Sequence, residues 1–284
     1  MSLFKKWCIV LRAYSWPASI VPMVVSGVYS YKNGWFNWFD FSLVFFAGLS
    51  IHIGANLLNT YYDYRNGVDD ESSDDIGIVK GLITPSNAFL LSLLLFSLGA
   101  VIGLFIIFKY SLYNLLWICI SGFLLAIIYT ANPFSLKYRA LGEIVIFLCF
   151  GPLIVTGSVM IMAKKFILDS LYLSLPTALL IVNILLANNM RDDSSDSQKG
   201  IKTAVDVFGI KASKNIYLLF LLLSFVIAFF FLNFSMASAV LIIGLFSAYN
   251  LFKVLRVADY STLVRETSKF VLIFGFLFSV AIVL

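Results

Sequence analysis

Residues 48–75 read GLSIHIGANLLNTYYDYRNGVDDESSDD. The first half of this stretch is an apolar run of the kind that lies inside a membrane. The second half holds six acidic residues within thirteen positions. Ionisable groups at membrane depth are costly unless they face a cavity or one another, so the sequence raises the question of what these carboxylates bind.

The polar residues inside the apolar run are spaced like one face of a helix. His52, Asn56, Asn59 and Asp63 lie 4, 3 and 4 positions apart. This spacing places them on a single stripe that ends in carboxylates. The glycine at position 67 frees the chain to turn, so we expect Asp69 to fold back toward Asp63.

A second stretch repeats the pattern. Residues 185–203 read LLANNMRDDSSDSQKGIKT, and Asn188, Asp192 and Asp196 are spaced 4 and 4 apart. These three side chains also share one helix face. Because the pattern recurs, we favour the interpretation that the two acidic clusters act together, and not the alternative that they are two solvated loops.

The composition identifies an integral membrane protein. Of the 284 residues, 61% are hydrophobic and 12% are charged, with a mean hydropathy of +0.96, whereas soluble domains carry about 25% charged residues. The net charge of +5 does not indicate nucleic-acid binding, because the basic residues lie between apolar runs. The three cysteines show no CxxC spacing and predict neither a disulfide nor a Cys/His metal site.

The apolar runs predict an all-α membrane protein with one domain, residues 1–284. Helices are expected because the backbone must satisfy its own hydrogen bonds in lipid. We predict nine spans around a central cavity: 13–32, 41–62, 88–108, 111–131, 142–163, 169–190, 215–232, 235–252 and 267–284. A four-helix pseudo-repeat, about 13–131 and 142–252, with a ninth helix at 267–284 is one interpretation.

The basic residues predict the orientation. With a cytoplasmic N-terminus and an outside C-terminus, 16 of the 20 Lys and Arg residues fall on the inside. The two longest loops, about 63–87 and 191–214, also fall inside and hold ten of the fifteen acidic residues. We therefore expect a protein of a bacterial cell membrane whose active site faces the cytoplasm.

The residue types predict a metal-bridged diphosphate clamp. Two clusters of like charge repel one another unless a cation lies between them, and Asp and Asn oxygens suit Mg²⁺, which completes its shell with phosphates. Cations accompany the acids at Arg65, Lys80, Arg191, Lys199 and Lys202. Asp70, Glu71 and Asp206 are interpreted as solvated, His52 as a hydrogen-bonded structural residue, and the roles of Asp74 and Asp75 stay open.

These motifs resemble the UbiA superfamily of intramembrane prenyltransferases. Asn59, Asp63, Gly67 and Asp69 match its first aspartate-rich motif, and NLLNTYYDYRNGVD is most similar to the branch that prenylates 1,4-dihydroxy-2-naphthoate for menaquinone and vitamin K2. The second motif is matched by residues 189–203, and a middle segment, YTANPFSLKYRALGEIVIFLCFGPL, places Tyr129, Lys137, Gly142, Glu143, Gly151 and Pro152. The likeness covers nearly the whole chain.

The resemblance implies Mg²⁺-dependent transfer of an isoprenoid chain from an allylic prenyl diphosphate to a small aromatic acceptor. It implies metal binding by Asn59, Asp63 and Asp69 and by Asp192 and Asp196, with Asn189 positioning one of them. Phosphate candidates are Arg65, Arg191, Lys199 and Lys202, followed by Lys137 and Lys80. Tyr62 and Tyr129 are expected near the allylic cation or the acceptor, and Arg12 and Tyr14 at the rim. Asp63, Asp192, Lys137 and Tyr129 are the expected catalytic residues.

Other functions remain open on the sequence alone. The same ionisation chemistry serves hydroxybenzoate, homogentisate, haem or glycerol-phosphate acceptors, or a terpene cyclase that closes the cation internally. A cation-coupled transporter is the alternative of another class, although transporter sites usually lie near the bilayer midplane. The long isoprenoid tail also requires a side opening to the bilayer, and no protein partner or nucleic acid is expected.

Overall fold

The structure, a computed structural model, describes residues 1–69 and 75–284. Asp70, Glu71 and Asp74, which the sequence analysis considered, lie outside the described residues. In the described part the regular structure is helical, apart from one isolated parallel bridge between Arg139 and Lys202. The prediction of an all-α protein is confirmed.

Eleven α-helices account for most of the described chain. Their bounds are α1 Leu3–Val10, α2 Pro17–Lys32, α3 Trp38–Arg65, α4 Pro85–Tyr110, α5 Leu115–Thr130, α6 Gly142–Leu148, α7 Ile154–Ala163, α8 Asp169–Gln198, α9 Ala204–Phe231, α10 Ile242–Val257 and α11 Tyr260–Val283. A π-helical turn, Cys149–Leu153, joins α6 to α7, and a 3₁₀ turn, Met236–Leu241, leads into α10.

Within the described residues, seven helical segments are long and apolar enough to cross a bilayer, and one of them, α9, is kinked at Gly209, whose φ of 78° and ψ of 156° are not helical. The pair α1 and α2, bent by 57°, supplies an eighth if the two are one span. Helix α5 is apolar but has only 16 residues, a length of about 24 Å against a hydrocarbon core of about 30 Å. The nine-span count and the orientation of the termini stay predictions.

The second acidic stretch is helical, which corrects the expected loop at 191–214. Helix α8 continues to Gln198, and α9 begins at Ala204, so the connection is only 199–203. Hydropathy places the end of α8 too early and the start of α9 too late, because both of these helix ends contain charged residues. The start of α9 is fixed by a capping box, in which Thr203 and Asp206 bond each other's backbone N–H groups.

The bundle is organised around α8. This helix is the most deeply buried of the seven apolar segments, and it packs against α6, α9 and α11. Tyr217, Phe270, Phe274 and Phe278 fill the core beside it. Helix α3 packs along α4. The C-terminal ends of α3 and α8 lie at the same end of the bundle, where the side chain of Lys199 reaches Val68.

The opposite end of α3 is closed by an ion pair between the buried Asp40 and the partly exposed Lys164. Asp40 accepts hydrogen bonds from Tyr110 Oη at 2.6 Å and from Lys164 Nζ at 2.5 Å. The Lys164 ammonium also lies 3.4 Å from the centre of the Tyr110 ring. This Asp40 cluster ties together the start of α3, the end of α4 and the end of α7.

Candidate active site

The site begins at the last turns of α3, where Asp63 is buried. Its Oδ2 accepts a hydrogen bond of 2.9 Å from Asn59 Nδ2, one turn earlier on the predicted stripe. Its Oδ1 is contacted by Lys137 Nζ and by Tyr138 Oη. Lys137 Nζ also contacts Asn59 Oδ1. The amide and the carboxylate of α3 are therefore held as one unit by a lysine and a tyrosine from the connection between α5 and α6.

Lys137 and Tyr138 lie on a short 3₁₀ turn, Leu136–Tyr138. Burial lowers the pKa of Lys137, and the Asp63 carboxylate opposes that shift. Burial, reinforced by the charge of Asp63, raises the pKa of Tyr138. The phenol therefore stays a hydrogen-bond donor to Asp63.

The chain turns after α3 at Gly67, as predicted. The residue has a φ of +69°, which glycine adopts without strain, and Val68 N donates to Asp63 O at 2.8 Å. The turn brings Asp69 to the same cavity as Asp63. Burial, together with the charges of Asp63 and Asp75, raises the pKa of Asp69 to about 7. Negative charge is therefore in excess at this point.

Asp75, which the sequence left open, is buried at the site. Thr60 Oγ1 donates to its Oδ2, and Gly77 N donates to its Oδ1 at 3.2 Å. The Arg12 guanidinium, in the left-handed turn between α1 and α2, lies 3.4 Å from the same carboxylate. Asp75 thus fastens the N-terminal segment to the wall of the site.

The last turns of α8 supply the second group. Arg191 makes a two-point contact with the Asp192 carboxylate, with both distances 2.7 Å. Asn189 Nδ2 donates to Glu143 Oε1 of α6 at 2.8 Å. Lys199 Nζ donates to Val68 O at 2.6 Å and so joins the end of α8 to the turn after α3.

The two acidic groups surround a single polar cavity of about 250 Å³. Ten of the predicted site residues line it: Asn59, Asp63, Asp69, Tyr129, Lys137, Asn189, Arg191, Asp192, Asp196 and Lys199. Arg12, Asp75, Tyr138 and Asn188 also line it. The ends of α3 and α8, distant in sequence, therefore form one site.

Three predicted phosphate ligands are not brought to this cavity. Arg65 and Lys80 are exposed, and Arg65 lies 3.4 Å from Tyr61 Oη. The side chain of Lys202 is exposed as well. Its backbone does participate, because Lys202 N donates to Tyr138 O at 3.2 Å and Lys202 O accepts from Ala140 N at 2.8 Å. Of the two predicted tyrosines, Tyr129 lines the cavity and Tyr62 does not.

A second cavity, of about 600 Å³ and mostly apolar, adjoins the first. Five residues line both: Arg12, Asn59, Tyr129, Leu185 and Asn188. The apolar cavity extends between α3, α4, α5, α7 and α8. Leu116 and Leu124 of α5 line it and have exposed side chains. These exposed side chains indicate that the cavity opens along α5.

The donor set fits Mg²⁺, although no three His, Cys, Asp or Glu side chains in residues 1–69 and 75–284 form a closed metal cluster. Mg²⁺ is usually held by one or two carboxylates, waters and substrate phosphates and does not need an all-protein cage. Asp63 and Asp69 on one wall and Asp192 and Asp196 on the other supply such carboxylates. Burial and then the charges of Asp63 and Asp75 raise the pKa of Asp69, and a cation bound beside it would favour its ionised form.

Sequence reasoning missed some contacts of the site. Tyr138 follows Lys137, but nothing in the spacing showed that both reach Asp63. Thr60 contacts Asp75 across 15 positions that include residues outside the described part of the chain. Their only sequence signal was their position beside recognised motif residues.

The chain is similar in sequence to known proteins over nearly its full length. The UbiA prenyltransferase family matches residues 19–280. UbiA prenyltransferase domain-containing protein 1 of Xenopus tropicalis is 30% identical over 99% of this chain and 84% of its own length. The protein of that name from Homo sapiens is 31% identical over 98% of this chain and 83% of its own. These animal relatives give no support to the expected bacterial source.

Solved structures share the fold. A UbiA homologue from Archaeoglobus fulgidus bound to GPP and Mg²⁺ has a TM-score of 0.68 at 15% identity, covering 98% of this chain and 99% of that one. The apo structure of a UbiA homologue from Aeropyrum pernix K1 has a TM-score of 0.69 at 11% identity, covering 93% and 96%. At such identities the likeness shows the fold alone.

Proposed function

Because this chain belongs to the UbiA prenyltransferase family and is a membrane-embedded prenyltransferase, we propose that it transfers an isoprenoid chain from an allylic prenyl diphosphate to 1,4-dihydroxy-2-naphthoate. The observation that carries the proposal is the pairing of the two cavities. A polar cavity ringed by carboxylates and cations adjoins an apolar cavity more than twice its volume. The pair suits a substrate with a diphosphate at one end and a hydrocarbon tail at the other.

The diphosphate belongs in the polar cavity. Lys137, Arg191 and Lys199 line it and supply the positive charge that phosphate oxygens need. Mg²⁺, when bound by the facing carboxylates, neutralises charge on the departing diphosphate and so favours cleavage of the C–O bond. The Archaeoglobus fulgidus homologue holds both GPP and Mg²⁺, which supports both for this chain.

The isoprenoid tail belongs in the apolar cavity. Gly103 of α4 and Gly122 of α5 line it without side chains, and a Cβ at Gly122 would meet nothing within 4 Å. The opening along α5 gives the tail a route from the bilayer, since the donor is itself a membrane lipid. The sequence predicted such an opening without placing it.

The reacting carbon then lies at the boundary between the cavities. Tyr129 lines both, and an aromatic face beside an allylic cation stabilises it by about 0.5–2 kcal/mol. The apolar walls exclude water, which would otherwise capture the cation. An electron-rich ring carbon of the acceptor attacks instead, and in the naphthoate branch the ring also loses carbon dioxide.

The choice of acceptor rests on the motif NLLNTYYDYRNGVD, which is most similar to the naphthoate branch. The cytoplasmic orientation rests on the charge distribution, with most of the Lys and Arg residues on the side of the polar cavity. Both are parts of the proposal.

Product analysis tests the proposal directly. The full chain in lipid nanodiscs is incubated with Mg²⁺, labelled geranyl diphosphate and a panel of aromatic acids. The products are identified by mass spectrometry. We expect a prenylated, decarboxylated naphthalenediol and equimolar diphosphate, both abolished by chelation of Mg²⁺. If diphosphate is released and a different ring is prenylated, that ring is the acceptor and the naphthoate assignment is wrong. A cyclic hydrocarbon product would indicate a terpene cyclase. No Mg²⁺-dependent diphosphate release would overturn the whole proposal.

A further inference from the structure

One wall of the apolar cavity is polar, and its polar groups belong to neither the carboxylates nor the phosphate-binding cations. Helix α3 presents His52 and Asn56 to this cavity, and the start of α2 adds Ser19, with Ser15 just before it. Helices α4 and α5 line the other side with apolar side chains and glycine. Polar groups in an otherwise apolar pocket usually fix the orientation of a ligand.

The hydrogen bonds of Ser15 define the tautomer of His52. Ser15 Oγ donates to Arg12 O at 2.9 Å and accepts from Asn56 Nδ2 at 2.9 Å. Since its single proton is used, Ser15 can only accept from His52 Nε2, which therefore carries hydrogen. The Nδ1 atom then accepts from Ser19 Oγ at 2.7 Å.

The Nε2–H group of His52 is poorly satisfied. Its distance to Ser15 Oγ is 3.5 Å, at the limit for a hydrogen bond, while His52 is only 8% exposed. A buried donor without a good acceptor is costly. His52 is thus a fixed imidazole with one N–H available to an oxygen atom in the cavity.

A complementary acceptor lies at the boundary of the two cavities. The Oδ1 atom of Asn188 on α8 is buried and has no hydrogen-bond partner in the described part of the chain. Asn188 lines both cavities, as Asn59 does across from it on α3. A hydroxyl group placed there would satisfy this oxygen.

The π-helical turn adds an apolar aromatic ring beside His52. It contains Pro152, which has no N–H to donate, and it places Phe150 at the cavity. The Phe150 ring packs edge to face against His52, with ring centroids 5.0 Å apart. Single π-helical turns often occur at functional sites.

We propose that His52 and Asn188 select an aromatic acceptor with oxygen atoms para to each other, and that its ring lies against Phe150. Asn188 Oδ1 accepts from the hydroxyl nearest the diphosphate, and His52 Nε2–H donates to the distal oxygen. Asn59, which lines the boundary of the two cavities as Asn188 does, lies two turns, about 10 Å, along α3 from His52. The two proposed contacts are therefore at separate places in the apolar cavity, one at its boundary with the polar cavity and one deeper along α3.

This assignment divides the apolar cavity between the two substrates. The ring occupies the wall formed by α2, α3 and the π-helical turn, and the tail occupies the wall formed by α4 and α5. It rests on the proposed function, which it deepens by assigning residues to acceptor choice. His52 and Asn188 act as specificity residues, and neither takes part in ionisation of the diphosphate.

The test compares two acceptors that differ in the distal hydroxyl, 1,4-dihydroxy-2-naphthoate and 1-hydroxy-2-naphthoate. For each we would measure kcat and KM in nanodiscs at saturating geranyl diphosphate and Mg²⁺. The unaltered protein should prefer the dihydroxy acceptor at least tenfold in kcat/KM, because the other leaves His52 unpaired. His52→Leu should bring the ratio close to one, whereas His52→Gln, which keeps an N–H donor, should retain part of it.

Asn188→Leu should raise KM for both acceptors by a similar factor, since both carry the proximal hydroxyl. The matched control is Asn183→Leu, which changes the same residue type on α8 where Asn183 bonds Tyr217 O away from both cavities. It should leave both KM values unchanged in the folded fraction. The KM for geranyl diphosphate should be unchanged in both His52 variants.

An unchanged acceptor ratio in His52→Leu would overturn the assignment, as would an Asn183→Leu effect equal to that of Asn188→Leu. If the protein prenylates other rings but neither naphthoate, this inference fails and prenyl transfer stands. If no Mg²⁺-dependent diphosphate release occurs with any acceptor, the proposed function itself fails.

Discussion

Each end of α3 buries an aspartate that contacts one lysine and one tyrosine. At the polar cavity, Asp63 contacts Lys137 and Tyr138. At the opposite end, Asp40 contacts Lys164 and Tyr110. The two trios have the same chemistry and differ in their surroundings.

The Asp40 cluster is a closed ion pair, in which one lysine balances one carboxylate and neither cavity reaches Asp40. The Asp63 trio borders a 250 Å³ space that four more aspartates line. We conclude that an aspartate, a lysine and a tyrosine by themselves only hold helices together, as at Asp40. A binding site requires the additional carboxylates and the open volume that are present at Asp63.

The largest difference between the two ends of α3 is expected in catalytic activity, when Asp63 is replaced in the variant Asp63→Asn. The amide removes a negative charge from the candidate metal site, and a lost electrostatic contact of this kind costs about 100–1,000-fold in kcat. The measurement is prenyl transfer from labelled geranyl diphosphate in nanodiscs. Asp40→Asn is the matched control on the same helix and should keep activity within about twofold in the folded fraction. Equal losses in both variants would contradict the comparison.

The second effect concerns stability. Asp40→Asn leaves the Lys164 ammonium without its carboxylate, and breaking a buried ion pair costs about 3–5 kcal/mol. Lys164 is about one-third exposed, so we expect a smaller loss, about 2 kcal/mol, after solvent screening. Denaturant unfolding in mixed micelles measures it, and Lys164→Met combined with Asp40→Asn should recover part of the loss. No change in unfolding free energy would show that the cluster stabilises nothing.

A third effect is the pH dependence that follows from the raised pKa of Asp69, caused by burial and by the charges of Asp63 and Asp75. Asp69 has a pKa of about 7 in the folded protein against 3.8 ordinarily, so between these values the folded chain holds a proton that the unfolded chain has released. Its contribution to stability is complete below pH 4 and is lost as the pH rises through 7, by at most about 4 kcal/mol.

The melting temperature of the Mg²⁺-free protein, measured from pH 5 to 8, tests this sign. The difference between the unaltered protein and Asp69→Asn isolates the contribution of one carboxyl group from those of all others. We expect the unaltered protein to lose stability relative to the variant as the pH rises. A difference that stays constant across this range would show that Asp69 has an ordinary pKa.

The smallest effects are expected from the two tyrosines. Tyr138→Phe removes one donor to Asp63 and should lower kcat/KM by about fivefold, which corresponds to about 1 kcal/mol. Tyr110→Phe removes one donor to Asp40 and should lower the unfolding free energy by about 1 kcal/mol with kcat/KM unchanged. The same two assays in both variants would show whether each tyrosine acts at its own end alone.

The sequence predicts much of this molecule because lipid and helix geometry leave few choices. Apolar runs near 41–62 and 88–108 become α3 and α4 within a few residues. The spacing of Asn59 and Asp63 predicts their shared face, and Gly67 predicts the turn that follows. These features depend on local periodicity, which a single sequence contains in full.

Contacts between distant segments could not be predicted in this way. The lysine at 137 reaches Asp63 across 74 positions, and no period in the sequence encodes that distance. Hydropathy predicts a loop at the polar end of α8, because it detects apolar segments and does not detect polar turns that continue the same helix. The shortness of α5 was likewise hidden by its apolar flanks.

The backbone pairing of residues 138–140 with Lys202 has a mechanical consequence. The connection between α5 and α6, which carries Lys137 and Tyr138, is hydrogen-bonded through main-chain atoms to the segment that follows α8. A displacement of the C-terminal end of α8 would therefore also move this connection. Lys137 would shift together with the second acidic group. The exposed Lys202 side chain takes no part in this pairing, but a proline at that position, lacking the N–H, would remove the hydrogen bond to Tyr138 O and weaken the connection.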